Sequence, residues 1–215
     1  MSRRRNLFVA LEGINGAGKS YLRDVLQDHF ESRGEPVFLL GQYGWLVPSA
    51  TATILAFRER RGGYDEAELL AAHVADRRVT QAEVIGPNLV VGPLIGDRSL
   101  ISDGPYLEAL EGIPAEKVLE LYAESGLVFP QLTVFVAVEP AKALDRIDGR
   151  GGGRKVYENL EVLKRVSASY ERIVESGFLA SFTSVVSTDG SRHQEVLHRV
   201  IAEEEAVADG RNIRR

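Results

Sequence analysis

The sequence predicts a three-layer α/β fold in which helices cover both faces of a five-stranded parallel sheet. Short apolar runs alternate with amphipathic stretches along the 215 residues, and a glycine-rich turn joins the first run to the first amphipathic stretch. This length indicates one domain. We expect it to span residues 1–208, followed by a flexible tail over 209–215.

Apolar and β-branched runs identify the candidate strands. The first and fourth runs contain the residues that are typical of strands buried on both faces. The predicted strands are 7–11, 36–40, 89–96, 132–138 and 182–186. Pro93 falls inside the third run, and we expect it near the start of that strand or at a bulge.

Between the predicted strands, apolar residues recur at steps of three and four, as they do along one face of a helix. In the stretch 158–176, for example, Leu160, Leu163 and Val166 follow this spacing. The predicted helices are 21–33, 50–61, 66–85, 114–125, 140–148, 158–176 and 192–207.

The composition excludes several classes of protein. With 26 Lys and Arg against 31 Asp and Glu, the net charge is −5, which argues against a general nucleic-acid binder. The absence of cysteine excludes disulfides, thiolate metal sites and a cysteine nucleophile. Uncharged stretches are too short to span a bilayer, and the arginine-rich first residues do not lead us to expect a secretory signal. We expect a soluble cytoplasmic protein without nucleic-acid or membrane partners.

Residues 13–20, Gly-Ile-Asn-Gly-Ala-Gly-Lys-Ser, match the phosphate-binding loop (P-loop) pattern G-x-x-x-x-G-K-[ST] between a strand and a helix. The glycines allow backbone N–H groups to surround an anion, and the helix adds its partial positive charge. The pattern predicts ATP with Mg²⁺, rather than a plain glycine-rich turn with a solvated lysine. The predicted nucleotide-binding residues are Gly13, Asn15, Gly16, Ala17, Gly18, Lys19, Ser20 and Tyr21.

Asp97 and Arg98 directly follow the third predicted strand. Ligands bind at the carboxyl ends of parallel strands, so both side chains should face the same crevice as Lys19. We expect Asp97 and Ser20 to hold Mg²⁺, and Arg98 to bind a substrate phosphate. The alternative is a surface ion pair at the start of a loop.

Arg146, Arg150 and Arg154 recur at steps of four, and four glycines lie among them. Glycines make a segment flexible, and guanidinium groups bind phosphate oxygens. The pattern predicts a mobile arginine-rich lid over about residues 146–157. Its three arginines would act in catalysis together with Lys19 and Arg98. A solvated basic loop is the alternative.

Candidate acceptor-binding residues lie elsewhere in the chain. Arg77 follows an amphipathic stretch and could pair with an acceptor phosphate, or it could be a solvated helix residue. Four aromatic residues could stack on a base, although core packing is the alternative for each. They are Tyr43, Trp45, Phe57 and Tyr106. His73 is expected to be structural, and no cluster has the spacing of a zinc site.

These segments resemble the thymidylate kinase family of P-loop nucleoside monophosphate kinases. The resemblance rests on 8–20, on Ala-Asp-Arg at 75–77, on Asp-Arg at 97–98 with Ser102 and Tyr106, on 130–133 and on 146–170. It implies a P-loop fold with a five-stranded parallel sheet, usually dimeric, so we expect a homodimer. It also implies a Mg·ATP donor, a deoxynucleoside monophosphate acceptor, and contact between the acceptor and the arginine at 77.

The sequence departs from the family pattern mainly on the acceptor side. Asn15 replaces an acidic P-loop residue, and Gln-Tyr-Gly at 42–44 replaces Arg-Glu-Pro. Ser99 and Leu107 replace an aromatic residue and a glutamine, and Tyr21 replaces a threonine. Gln42 and Ser102 complete the predicted acceptor-binding residues. Because the loss of a hydrogen-bonding group can change base discrimination strongly, the acceptor base stays open.

The sequence therefore predicts an ATP-dependent kinase of a small nucleotide. It would transfer the γ-phosphoryl group of ATP to a (deoxy)nucleoside monophosphate, with a dTMP-like pyrimidine as acceptor. One alternative is a kinase of a nucleoside or a modified nucleotide in a specialised pathway. Another is a nucleotide-binding switch without kinase activity. The absence of an Asn-Lys-x-Asp segment counts against a GTPase.

Overall fold

A computed structural model describes residues 6–151, 153–189 and 193–208 of the chain, so the predicted tail 209–215 lies outside the described residues. Within these ranges the strands form one sheet in the order β2-β3-β1-β4-β5, with every pair parallel. The strands are β1 (Phe8–Glu12), β2 (Phe38–Gly41), β3 (Leu94–Asp97), β4 (Leu132–Val136) and β5 (Ser184–Thr188). The predicted α/β fold with a five-stranded parallel sheet is confirmed.

The α-helices flank this sheet, so that the fold has three layers, with the sheet in the middle. They are α1 (Lys19–Glu31), α2 (Pro48–Arg58), α3 (Glu66–Thr80), α4 (Gly86–Val91), α5 (Asp103–Glu111), α6 (Ala115–Glu124), α7 (Pro140–Asp148), α8 (Leu160–Glu175) and α9 (His193–Ala208). In the described part of the chain, no helix combines the length and the apolar character that crossing a membrane requires.

β1 lies at the centre of the sheet, and each of its residues is buried. Helix α1 packs beside it through Leu22, Leu26 and Phe30, which recur at helical spacing. The large side chains of Tyr122 and Tyr170 complete the core from α6 and α8, and both are fully buried. This packing makes the central strands a rigid support for the loops at their carboxyl ends.

The strand register places functional residues at one edge of the sheet. Leu11 and Gly41 both lie opposite Asp97, and Glu12 lies opposite Phe135. Because all strands are parallel, the P-loop after β1 and Asp97 at the end of β3 share this edge. The fold thus brings together residues that lie more than 80 positions apart in the sequence.

The structure corrects the third predicted strand. Residues 89–91 belong to α4, and β3 begins only at Leu94. The chain continues from α3 through a π-helical turn (Gln81–Ile85) into α4, and Pro87 occupies its first turn, where proline is tolerated. Neighbouring strands provide pairing partners only for residues 94–97.

Helix α5 is absent from the predictions, because Gly104 and Pro105 in its first turn are typical of a loop. Helix α2 ends at Arg58, three residues before the predicted end at 61. The other predicted helices are present, with ends that differ by a few residues.

Candidate active site

The P-loop has a backbone shape that only glycine allows at two of its positions. Gly13 and Gly16 have φ angles of 132° and 80°, in the region that favours glycine. A Cβ on Gly13 would lie 2.5 Å from the Val136 carbonyl oxygen, and one on Gly16 would lie 2.3 Å from that of Ala143. The loop is therefore packed against the end of β4 and against α7 by direct backbone contact.

Lys19 lies inside this loop and is 7% exposed. Its Nζ donates hydrogen bonds to the carbonyl oxygens of Gly13, at 3.2 Å, and Ile14, at 2.9 Å. Burial lowers the pKa of Lys19 well below its ordinary value, and the nearby charge of Arg98 lowers this pKa further. An anion bound in the loop would stabilise the charged ammonium group.

A cavity of about 420 Å³ opens beside the P-loop, and we name it the donor cavity. Its lining residues are Asn15, Gly16, Gly18, Lys19, Ser20, Asp97, Arg98, Arg146, Arg150, Lys155 and Glu158. Five of them are basic and only two are acidic, so the cavity suits a polyphosphate. The structure thus brings eight of the predicted nucleotide, metal and lid residues together with Arg98.

The donor cavity contains residues that fit a magnesium ion bound together with a nucleotide. The Ser20 hydroxyl and the Asp97 carboxylate both belong to its lining, and Asp97 has a weak partner in Arg23, 3.6 Å away. Among the described residues, no group of three or more His, Asp or Glu side chains could hold a metal by itself. A hydroxyl and one carboxylate suit Mg²⁺, which takes its other ligands from substrate phosphates and water.

Arg98 is buried and has a left-handed φ of 74°. Its guanidinium donates to the Ser102 hydroxyl at 3.0 Å, to the Tyr106 hydroxyl at 2.9 Å and to the Asn15 side-chain oxygen. Burial alone would lower the pKa of Arg98, but Tyr106, Tyr170 and Glu12 raise this pKa above its ordinary value. Arg98 therefore stays charged inside the site.

Glu12 supports Arg98 from behind, a role that the sequence analysis missed. Its carboxylate is fully buried and accepts hydrogen bonds at 2.7 Å from the Ser99 hydroxyl and the Tyr170 hydroxyl, and another from Ser102. A charged residue at the end of an apolar strand was the available signal. Ser102 accepts a hydrogen bond from Arg98 and is not in the lining of the donor cavity, so its binding to substrate stays a prediction.

A second cavity of about 240 Å³ lies next to the donor cavity, and we name it the acceptor cavity. Its lining residues are Asn15, Gly41, Gln42, Tyr43, Trp45, Phe57, Arg58, Arg98, Tyr106, Leu110, Lys155 and Tyr157. It includes all four predicted aromatic residues and no acidic one. Asn15, Arg98 and Lys155 line both cavities, so they mark the place where the two meet.

Arg77 is not among the residues that line the acceptor cavity, and its contact with the acceptor stays a prediction. It lies behind Tyr43, with the guanidinium 4.5 Å from the ring centre. Asp103 holds it through hydrogen bonds of 2.7 to 2.9 Å, and Tyr122 donates to the same carboxylate at 2.9 Å. Because α5 supplies this buried partner, the charge of Arg77 is already paired.

The side chain of Gln42 has a fixed orientation at the edge of the acceptor cavity. Its Nε2 donates to Asp103 at 2.9 Å and to the Tyr43 hydroxyl at 3.3 Å. Since a carboxylate only accepts hydrogen bonds, the amide nitrogen must face Asp103. Leu107, at the position where the family has a glutamine, is fully buried in the core.

Arg58 is a further residue that the sequence analysis missed. Its guanidinium lies 5.5 Å from the ring centres of both Tyr43 and Trp45, and it donates to the Tyr157 hydroxyl at 3.1 Å. The Tyr157 ring in turn meets the edge of Tyr106. A single basic residue at the end of an otherwise uncharged helix, α2, was the only signal.

The three predicted lid arginines have different positions. Arg146 lies in α7 and donates to the Gly16 carbonyl at 3.1 Å. We name the described residues between α7 and α8, which are 149–151 and 153–159, the lid segment. Arg150 lines the donor cavity, whereas Arg154 pairs with Asp148 at 2.6 Å outside it. Tyr21 is 53% exposed on α1 and does not line the cavity either.

Comparison with known proteins identifies the family of this chain. The family model for thymidylate kinase matches residues 11–201. A probable thymidylate kinase of Staphylothermus marinus is 31% identical over 201 residues, covering 93% of this chain and 94% of the relative. Thymidylate kinases of Caldanaerobacter subterraneus (29% over 201 residues; 92% and 93% covered) and Solidesulfovibrio magneticus (30% over 177; 78% and 85%) are also similar. The chain therefore belongs to the thymidylate kinase family.

Proposed function

We propose that this protein transfers the γ-phosphoryl group of ATP to a (deoxy)nucleoside monophosphate, with dTMP as the expected acceptor. The observation that carries the proposal is the pair of adjoining cavities that share Asn15, Arg98 and Lys155. Membership of the thymidylate kinase family supports the ATP-dependent kinase class and the use of Mg²⁺.

On the donor side, the P-loop amides and Lys19 bind the triphosphate, and Arg146 and Arg150 add positive charge. Ser20 and Asp97 would hold Mg²⁺, which neutralises charge on the β- and γ-phosphates. In phosphoryl transfer, position and charge stabilisation supply nearly all of the catalysis, and these residues provide both.

On the acceptor side, Arg98 holds the monophosphate where the two cavities meet. An oxygen of that phosphate attacks the γ-phosphorus in line, and the bond to the bridging β-phosphate oxygen breaks, so ADP leaves. Lys19 and Lys155 stabilise the negative charge during transfer. Tyr43, Trp45, Phe57 and other rings enclose the base by stacking.

The test is ADP release with ATP, Mg²⁺ and each of a panel of nucleoside monophosphates. We expect dTMP to be phosphorylated, and Lys19→Ala to lower kcat by about 10²–10³-fold through loss of one charge-stabilising donor. The control is Lys164→Ala, which changes an exposed lysine on α8. ATP binding without turnover of any monophosphate would contradict the proposal.

A second candidate acceptor is a nucleoside or a modified nucleotide. Two observations favour this second acceptor. Arg77 is paired with Asp103, and Leu107 is buried in the core, so neither side chain is placed to contact the base of dTMP. If dTMP gives a much higher kcat/KM than thymidine and 5-substituted nucleotides, this candidate is rejected. ATP hydrolysis that is independent of any acceptor would instead indicate a switch.

We also propose a homodimer in the cytoplasm, as the family resemblance implies. Light scattering of the purified protein tests the first part. A particle with the mass of one chain, 23.6 kDa, at all concentrations would contradict the dimer. Cell fractionation tests the location, and recovery of the protein outside the cytoplasmic fraction would contradict it.

A further inference from the structure

A partly buried hydrogen bond joins the P-loop to the lid segment. Asn15 Nδ2 donates to Glu158 Oε1 at 2.6 Å, although the two residues lie 143 positions apart. Glu158 is only 4% exposed. A carboxylate removed from water this far needs hydrogen-bonding partners, and the second one is the Lys155 backbone N–H, 2.7 Å from Oε2.

The same contact fixes the orientation of the Asn15 amide. A carboxylate can only accept, so Nδ2 must face Glu158, and Oδ1 is left to accept from Arg98 and from the Tyr106 hydroxyl. With the amide reversed, its NH₂ group would point at the guanidinium of Arg98. Glu158 therefore determines which end of Asn15 faces Arg98.

Glu158 is thus linked to all three residues that line both cavities. It contacts Asn15 through one oxygen and the Lys155 backbone through the other, and it reaches Arg98 through Asn15.

We propose that Glu158 is a positioning residue that sets the geometry of Arg98 and Lys155 through the Asn15–Glu158 pair. The inference rests on the proposed kinase function. The site is fully arranged only while the lid segment is seated on the P-loop. Asn15 and Glu158 are also a matched pair, because carboxylates at both positions would repel each other at neutral pH.

Three variants test the pair with ATP and dTMP. Asn15→Asp places two carboxylates in contact. We expect kcat to fall by about tenfold or more, because the interaction energy between contacting residues is large enough to displace Arg98 and Lys155. Glu158→Gln should lower kcat by roughly threefold, because the Lys155 N–H or Asn15 loses its carboxylate acceptor. The double variant exchanges the two groups, so that an amide in the lid segment donates to a carboxylate in the P-loop. Its kcat should return to within about threefold of wild type.

Glu161→Gln is the matched control, since Glu161 is a 76% exposed glutamate in the first turn of α8. It should leave kcat unchanged. A purely structural loss would not produce rescue in the double variant. We also expect the kcat of Asn15→Asp to rise as pH falls, because one added proton restores a hydrogen-bond donor between the two carboxylates. A purely structural loss would not produce this pH dependence.

Hydrogen exchange of residues 153–158 in the nucleotide-free protein provides a readout that is independent of turnover. We expect faster exchange in Asn15→Asp and wild-type exchange in the double variant. Unchanged exchange in Asn15→Asp, or effects of the two single variants that simply multiply in the double, would overturn the inference. If wild type phosphorylates no monophosphate, the proposed function fails, and hydrogen exchange still decides whether the pair holds the lid segment.

Discussion

Arg98 combines deep burial with partners that are mostly neutral. Hydroxyl groups and the Asn15 amide hold its guanidinium, and within the described residues it makes no direct ion pair. Arg77 shows the opposite arrangement, since Asp103 neutralises it at 2.7 Å. Because an unpaired arginine keeps its charge for a ligand, Arg98 and not Arg77 is the phosphate-binding candidate.

Arg58 is the second arginine of the acceptor cavity whose charge is unpaired in the described structure. Arg58→Ala should raise the KM for the acceptor by about tenfold or more, as the loss of a charge-assisted hydrogen bond predicts, and leave the KM for ATP unchanged. Steady-state kinetics measures both values. Arg61→Ala, which changes an exposed arginine paired with Glu59, is the control. Equal changes in both KM values would contradict this assignment.

Lys19 gives the site a pH dependence with a definite sign. Its pKa is lowered in the free protein by burial, and a bound polyphosphate would raise this pKa again. Between the two values, ATP binding takes up a proton, so the affinity for ATP should fall as pH rises toward the ordinary lysine pKa. Calorimetry in two buffers with different ionisation enthalpies measures the uptake. The absence of proton uptake across this range would show that Lys19 stays charged in the free protein.

At the scale of elements, the P-loop depends on its contact with α7. Gly16 brings its backbone against Ala143, and Arg146 of the same helix donates to the Gly16 and Ala17 carbonyls. The two elements are far apart in sequence and rigidly packed in the fold. Substitutions in α7 that move its backbone should therefore change the shape of the donor cavity.

Gly16→Ala tests this contact. The new Cβ would lie 2.3 Å from the Ala143 carbonyl oxygen, so the P-loop or α7 must move, and ATP affinity should fall by about tenfold or more. Gly63→Ala is a matched control, because Gly63 has a similar φ of 85° and no atom near its Cβ. In both variants an alanine must adopt a positive φ, which costs about 1–2 kcal/mol of stability. Thermal unfolding measures this loss of stability. A wild-type ATP affinity in Gly16→Ala would contradict the rigid contact.

At the scale of the whole molecule, one edge of the sheet carries both cavities. β1 and β3 place the P-loop, Glu12 and Asp97 there, and α2 and the lid segment enclose the space above them. Binding at this edge therefore connects parts of the chain from residue 12 to residue 158. We expect ligands to stabilise the whole fold.

The stabilisation should require Mg²⁺. ADP at about 100 times its Kd should stabilise the fold by about 2.7 kcal/mol, which raises Tm by about 5–10 °C for a chain of this size. A chelator should remove most of this shift, and Asp97→Asn should reduce it. Scanning calorimetry provides the measurement. An equal shift with and without chelator would exclude a magnesium role for Asp97 and Ser20.

Comparison of individual residues shows how far the sequence predicts this site. The P-loop was predictable because its residues are consecutive and its pattern is local. The position of Asp97 and Arg98 beside the P-loop was predictable, because they lie at the end of an apolar strand and parallel strands share their carboxyl edge. Their roles stay predictions. Glu12, Arg58 and Glu158 were not predicted, because each acts through a partner that is distant in sequence: Ser99, Tyr157 and Asn15, respectively.

The sequence by itself determined the five parallel strands, most of the helices, the phosphate-binding loop and the family, since these depend on local spacing and periodicity. Only the tertiary structure decided which charges are free to meet a ligand. Arg77 is neutralised because α5 brings Asp103 to it, and Arg154 forms an ion pair with Asp148. Arg58 and Arg98, in contrast, line the acceptor cavity without an ion pair among the described residues. The physical reason is that the availability of a charge depends on its neighbours in space, and packing sets those neighbours.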